Sequence, residues 1–477
     1  MSLVISSSPS LSLSLSKIRP FCTVHHGENE ERDILRERMT RDEYQTVSME
    51  EGNEDLFLTQ GLLSKDNQDN ALQNISSSHL EKHIPFNNGA SFSQTFLNLI
   101  NVVSGVGVLS MPYAVAQGGW LSLVIFLLVG LLCYYTGILI QRCMRAHPSI
   151  HSYPDIGRYA FGPTGQNIIA TFMYIELYLV AISFLILEGD NLDKLFPGSK
   201  VEFYSVTLEG KKLFILLAAF IILPTTWLRD LAVLAYVSAI GLVASVVLTG
   251  SLVWACIADA GIQQTKGDML NLQGLPTALG LYFVCFTGHA VFPTIYSSMR
   301  NKNQFSKVLF ISTILCTLNY GLTAVLGYLI YGNEVQSQVT LNLPSDKIYT
   351  KIAIYTTLIN PLAKYALLIA PITSAIEERI SVIVKSSTSL VIRTLILLST
   401  VVLASSIPFF GYLMSFIGSF LSVMATVLFP CVCYLKIYGS FRAVSAELVA
   451  ILFILIIGVL VAVMGTYTSL QQIIGSL

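Results

Sequence analysis

From residue 91 onward the chain alternates long apolar runs with short polar stretches. A helix that crosses a bilayer needs about 20 mostly apolar residues. By that rule the sequence predicts eleven spans, at 91–116, 120–141, 164–187, 212–228, 231–257, 275–298, 305–331, 348–375, 388–406, 409–435 and 446–469. The expected fold is an all-α polytopic membrane protein. Only Leu228-Arg229-Asp230 parts the fourth run from the fifth, so counts of ten or twelve also remain open.

Two of these runs carry the same interruption. In SFSQTFLNLINVVSGVGVLSMPYAVA, Gly107 is followed five residues later by Pro112; in LPTALGLYFVCFTGHAVFPTIY, Gly288 is followed likewise by Pro293. Glycine loosens a helix and proline removes a backbone donor, so each span is expected to break near its middle. Broken ends leave bare N–H and C=O groups, which hydrocarbon does not tolerate unless they line a cavity or grip a ligand. Breaks in corresponding positions of two halves point to a transporter with paired repeats and a mid-membrane site.

Composition supports the membrane reading and adds an orientation. The chain is 53% hydrophobic and 12% charged, against roughly 25% charged in soluble domains. Residues 1–90 hold 14 acids and 8 basic residues, and form an expected disordered acidic tail. With that tail in the cytosol, inside loops carry twelve Lys and Arg and outside loops seven, the bias of the positive-inside rule. Within the tail, the acid-free, serine-rich start superficially matches a transit peptide, and Glu30 before Ile34-Leu35 is a weak sorting pattern. The eight cysteines are scattered without zinc-site spacing, so no metal and no cofactor is expected. Nucleotide-binding, hydrolase and metalloprotease signatures are missing, which argues against an enzyme, and nothing suggests a nucleic-acid partner.

The first break, Ser104-Gly105-Val106-Gly107, would start a second half-helix near Val108, whose N-terminus suits a carboxylate. Close helix crossing is the plainer use of such glycines. At the second break, carbonyls near Phe286, Thr287 and Gly288 could accept bonds from an ammonium, so the pair would fit the zwitterionic end of an α-amino acid. Tyr282, Phe283 and Phe286 could wall the side-chain pocket or simply pack. Ionisable groups inside spans cost roughly 2.5–3.5 kcal/mol each on insertion scales. Glu176, His289 and Lys364 stand in such places and could relay a proton or act as buried braces. Lys364, one turn after Asn360, could instead put an ammonium where a cation would sit. In the loop SYPDIGRYAFGPTG, Asp155 and Arg158 could latch a gate or form an ordinary surface pair.

The stretches NLINVVSGVGVLSMPYAVAQGGW, SYPDIGRYAFG, LILEGDNLDKLFP, FTGHAVFPTIYSSM and INPLAKYALLIAP together resemble the amino acid/auxin permease family, most closely its plant vacuolar amino acid transporters. The resemblance covers residues 91–469. It implies a LeuT-like fold of two inverted five-helix repeats, here 91–257 and 275–435, plus the extra helix 446–469. It further implies proton-linked, alternating-access transport of neutral amino acids across the vacuolar membrane, with a cradle at Ser104 to Gly107 and Phe286 to Gly288. A second acid expected after the Glu176 position is replaced by Ser183, which puts a proton path through it in doubt. Two rival readings are an amino acid-sensing transceptor and a plasma-membrane permease for auxin or another organic anion.

Overall fold

The computed structural model describes residues 89–476 apart from 204–205, 228–239, 261–266, 381–385, 408 and 440–445. The tail up to residue 88 and the turn at 228–230 therefore lie outside the described residues. The first broken span is helix α1 (Phe92–Val103), a 3-10 turn (Val106–Ser110) and α2 (Met111–Gly118), bent by 44°. Ser91 and Gln94 form a capping box that starts α1. Pro112 lies in the first turn of α2, where its missing N–H would have had no helical partner anyway. Ahead of α1, Ala90 forms a β-bridge to Met299: its N–H donates to Ser298 O at 2.8 Å, and Arg300 N–H donates to Ala90 O at 3.0 Å.

Helices α3 (Ser122–Ala146), α4 (Tyr153–Leu195), α5 (Gly210–Trp227) and α6 (Ile240–Ala255) follow. α4 begins with a short arm that turns at Gly162, whose φ of 72° lies in the left-handed region, before Pro163. It then runs two turns beyond the expected end at 187, because Glu188, Asp190, Asn191 and Lys194 continue the helix after the apolar run stops. Between α4 and α5 the loop folds into a hairpin of β1 (Lys200–Phe203) and β2 (Val206–Glu209), a small addition to an all-α plan.

The second broken span is α7 (Leu275–Cys285) and α8 (Phe292–Ser298). Next come α9 (Phe305–Tyr331), α10 (Ile348–Ile380) and α11 (Ser386–Ser406). α12 (Phe410–Phe416) widens through two π-turns, Ile417–Ser422 and Met424–Leu428, into α13 (Phe429–Tyr438), and α14 (Ala446–Ser476) closes the chain. The widened stretch fits a crossing with α7 so close that a Cβ on Gly280 would lie 2.4 Å from the Ser415 carbonyl oxygen.

Among the described residues, eight helices are long and apolar enough to cross a bilayer, and the bent pair α1–α2 makes up to nine. The shorter apolar helices α6 and α7 fall on the expected fifth and sixth spans, so eleven crossings are compatible with the fold. α10 and the α12–α13 stretch are largely enclosed, whereas α11 and α14 lie at the rim. α14 turns Phe453, Ile456, Leu460 and Met464 outward, the apolar face a lipid-contacting helix needs.

Candidate functional site

At the first break, Ser104 N–H still reaches Ile100 O at 2.6 Å, but its ψ of 75° takes the chain out of the helix. Gly105 is extended (φ −93°, ψ −173°). Two distant side chains meet carbonyls that have lost their helical partners. Lys364 on α10 donates from Nζ to Asn101 O at 3.1 Å. Tyr320 on α9 donates its hydroxyl to Val103 O at 2.6 Å, and the tyrosine's own oxygen accepts the Gly105 N–H at 3.2 Å; that N–H also reaches Val103 O at 2.8 Å. At the second break, Phe286 N–H turns back to Phe283 O and Thr287 N–H to Val284 O, and regular pairing resumes with Val291 N–H to Gly288 O. The Thr287 hydroxyl is held by Phe283 O at 3.2 Å.

The breaks face each other closely. A Cβ on Gly107 would come within 2.8 Å of Cys285 Sγ and 3.3 Å of its Cα, so glycine is what lets the spans approach there. Beside this contact lies a cavity of about 100 Å³, several times the roughly 10–15 Å³ that one water needs on this measure. Gly105, Val106 and Gly107 border it from one break, Thr287 and Gly288 from the other. Glu176 on α4 and Lys364 on α10 add one acid and one base. Met173, Leu177, Val180, Phe184, Leu368 and Met414 make much of the remaining wall apolar. A smaller void of about 20 Å³ lies behind Gly105 and Val106, against Thr357 and Asn360.

Glu176 is buried, and its Oε1 accepts the Ser422 hydroxyl at 2.8 Å, from the first π-turn. Among the described residues no ion pair joins it to Lys364. The cavity is therefore bordered by an acid and an amine held on separate braces.

Other expected site residues sit elsewhere. Ser104 is buried beside the break but does not border the cavity. Tyr282 points at α3, where its hydroxyl is 2.7 Å from Ser122 Oγ and its ring packs on Phe126. Phe286 stacks on Phe126 (centroids 5.3 Å apart), and with Phe283 it packs in the core rather than on the cavity. His289 is also turned to α3: Nε2 lies 3.0 Å from both the Cys133 carbonyl and the Thr136 hydroxyl, and the Phe292 ring packs tilted against the imidazole, with centroids 4.7 Å apart. The expected latch residues Asp155 and Arg158 lie apart from the cavity. Asp155 caps α4, accepting the N–H groups of His151 and Ser152, and among the described residues no ion pair links it to Arg158, which is exposed.

Sequence reasoning missed Tyr320 and Ser422, single polar residues in spans whose facing only the packed structure reveals. It also missed a polar cluster at the end of α4. Gln338 joins Asn191 (2.6 Å) to Asp190 (2.7 Å), Lys211 pairs with Asp190 at 2.8 Å, and Lys194 donates to the carbonyls of Thr340 and Leu343. Glu188 is buried in the same stretch. The acids in LEGDNLDKL were the available signal.

With the geometry in place, the family can be established. The family model described as "Transmembrane amino acid transporter protein" matches residues 88–471. The chain belongs to that family. It is 46% identical over 418 residues to the amino acid transporter AVT1I of Arabidopsis thaliana, covering 87% of this chain and 100% of that one. To the amino acid transporter AVT1J of the same plant it is 47% identical, covering 81% and 92%. Among solved structures, a Na+-coupled sialic acid symporter in a substrate-bound outward-open state aligns with a TM-score of 0.50 at 13% identity, over 79% of this chain and 89% of that one. That likeness concerns fold alone and accords with the LeuT-like plan. The chain is thus an amino acid transporter family member, not an enzyme.

Proposed function

We propose that the protein carries neutral amino acids, coupled to protons, across the vacuolar membrane by alternating access, its N-terminus cytosolic. One observation carries the site: the cavity between the two breaks, bordered by backbone from both and by Glu176 and Lys364. The substrate carboxylate would sit at the start of the 3-10 turn, whose first N–H groups have no partner within their own turn. The ammonium would face the carbonyl end of α7 near Thr287. The apolar wall of Met173, Leu177, Val180, Phe184, Leu368 and Met414 favours an uncharged side chain, since a charged one would lose its water there with little to replace it.

Glu176 and Lys364 are the proton-coupling candidates, because both border the cavity and each bonds an irregular stretch of helix, the Ser422 π-turn and the end of α1. Gain or loss of a proton at Glu176 would remake its bond to the Ser422 π-turn. At Lys364 it would alter the grip on the end of α1. His289 serves in this reading as a brace between the second break and α3. The helices containing the breaks, one from each of the repeats 91–257 and 275–435, would rock against a scaffold and expose the site to each side in turn. The vacuolar destination rests on the family resemblance of the quoted stretches.

Radiolabelled amino acid flux into proteoliposomes with an imposed pH gradient tests this reading. Gradient-driven uptake of neutral amino acids, abolished by a protonophore, is the expected result. Uptake indifferent to the gradient overturns proton coupling. Binding without flux favours a transceptor, and selective uptake of an organic anion contradicts the amino acid reading.

A further inference from the structure

A break inside a membrane helix creates a problem that the substrate alone does not solve. The last carbonyls of α1 lose their regular helical partners at the break, and no lipid can replace them; within the described backbone Val103 O and Gly105 N–H have only each other, at 2.8 Å. Tyr320 adds a side-chain partner to both. Its side chain comes from α9, is fully buried, and places one oxygen against Val103 O at 2.6 Å and Gly105 N at 3.2 Å. A phenol has one proton to give and lone pairs to receive, so a single hydroxyl satisfies an acceptor and a donor on either side of Ser104. Its ring meets Phe286 edge-on, with centroids 6.2 Å apart and planes at 73°. Phe286 is the first residue past α7, at the second break. One residue thus touches both interruptions from a helix that is itself continuous.

We propose that Tyr320 is a positioning residue of the transport site: its hydroxyl holds the first break in its unwound shape, and its ring ties that shape to the second break. This rests on the transport reading above and refines it. Gly105 N–H is shared between Val103 O and the tyrosine oxygen, so it is already engaged. The amides left to receive a carboxylate are those of Val106 and Gly107, which open the 3-10 turn and border the cavity. Without the hydroxyl, the unwound arrangement becomes one of several, and the substrate must first select it. That selection weakens apparent affinity by the fraction of protein in the competent shape, while turnover at saturation is retained.

The test compares Tyr320→Phe with Tyr153→Phe in the full-length protein. Tyr153 is another buried tyrosine that donates to a backbone carbonyl, Ala425 O at 2.6 Å, and it does not border the cavity. Y320F keeps the ring against Phe286 and removes only the hydroxyl. The expected result is a rise of about tenfold or more in KM, as loss of a partner for buried groups implies, with the maximal rate changed by less than about twofold. Y153F should leave KM unchanged. A wild-type KM for Y320F, or equal rises in both variants, overturns the proposal. Hydrogen–deuterium exchange at amides 103–108 gives a second readout that needs no transport. It should accelerate in Y320F and not in Y153F, and protection equal to wild type in Y320F overturns the positioning role. Absence of amino acid flux in the wild type would count against the transport reading, and the exchange result would still decide the role of Tyr320.

Discussion

Gly105 and Gly107 are two residues apart, yet the structure assigns them different duties. Around Gly105 a Cβ would meet nothing nearer than Val103 O at 3.9 Å, and its φ of −93° suits any residue. At Gly107 a Cβ collides with Cys285. Gly107→Ala is therefore expected to lower uptake by an order of magnitude or more, in keeping with the roughly 1–3 kcal/mol cost of overpacking. Gly105→Ala should be milder. Because the nearest obstacle is the Cys285 sulfur, adding Cys285→Ala to Gly107→Ala should restore part of the uptake. Initial rates in vesicles check the series; equal losses at both glycines, or no rescue, would contradict the packing argument. Glu176→Gln keeps an acceptor for Ser422 but cannot ionise. In the proposed mechanism it separates two activities: amino acid exchange persists, and pH-driven accumulation is lost. Accumulation equal to wild type would remove Glu176 from the proton path.

At the scale of elements, the broken spans are fastened to their neighbours by few polar contacts. Ala90 clips the start of α1 to the end of α8 through two backbone bonds. Gly89 makes that clip possible, since a Cβ there would lie 2.6 Å from the Arg300 backbone. Near the far end of α4, Gln338 bridges Asp190 and Asn191, pinning the α9–α10 connection against the helix. Ser110 adds a further tie to that connection, donating to Ser337 O at 2.7 Å. Gln338→Leu should destabilise the solubilised protein by about 1–3 kcal/mol, the cost of leaving buried polar partners unpaired. A lower melting temperature by intrinsic fluorescence checks it, and an unchanged midpoint would show that the cluster contributes little. The element boundaries also show what the sequence could convey. Both breaks were legible because Gly and Pro act locally on the backbone. The length of α4 was not, because hydropathy marks where apolar residues stop and not where helical pairing does. Nor were the π-turns after Phe416, which accompany a close crossing with Gly280, a partner far away in sequence.

Across the whole molecule, the described helices are compatible with eleven spans, eight or nine of them long and apolar enough by themselves, and the family follows from comparison over most of the chain. The lining of the candidate cavity was half legible. Gly105, Val106, Gly107, Thr287, Gly288, Glu176 and Lys364 come together on one cavity, as their chemistry suggested. Tyr282, Phe286 and His289 did not join them, because uniformly apolar spans carry no periodic signal saying which face looks inward. Tyr320 went unnoticed for the same reason. The proposed rocking of the broken helices against a scaffold gives a global expectation: alternating access requires the cavity to open to each side in turn. A cysteine introduced at Val106 should then react with a membrane-impermeant thiol reagent from both sides of the membrane, in a background without the native cysteines, and substrate should protect it. Labelling from one side alone, at every substrate concentration and pH tested, would contradict that cycle.

The central claim is that a small zwitterion docks between the two snapped helices. A cryo-electron-microscopy map of the full-length protein with a transported neutral amino acid tests it most directly. Ligand density is expected between Val106–Gly107 and Thr287–Gly288, with Glu176 and Lys364 flanking it. Substrate density elsewhere, with that cavity filled by side chains or water alone, would contradict it.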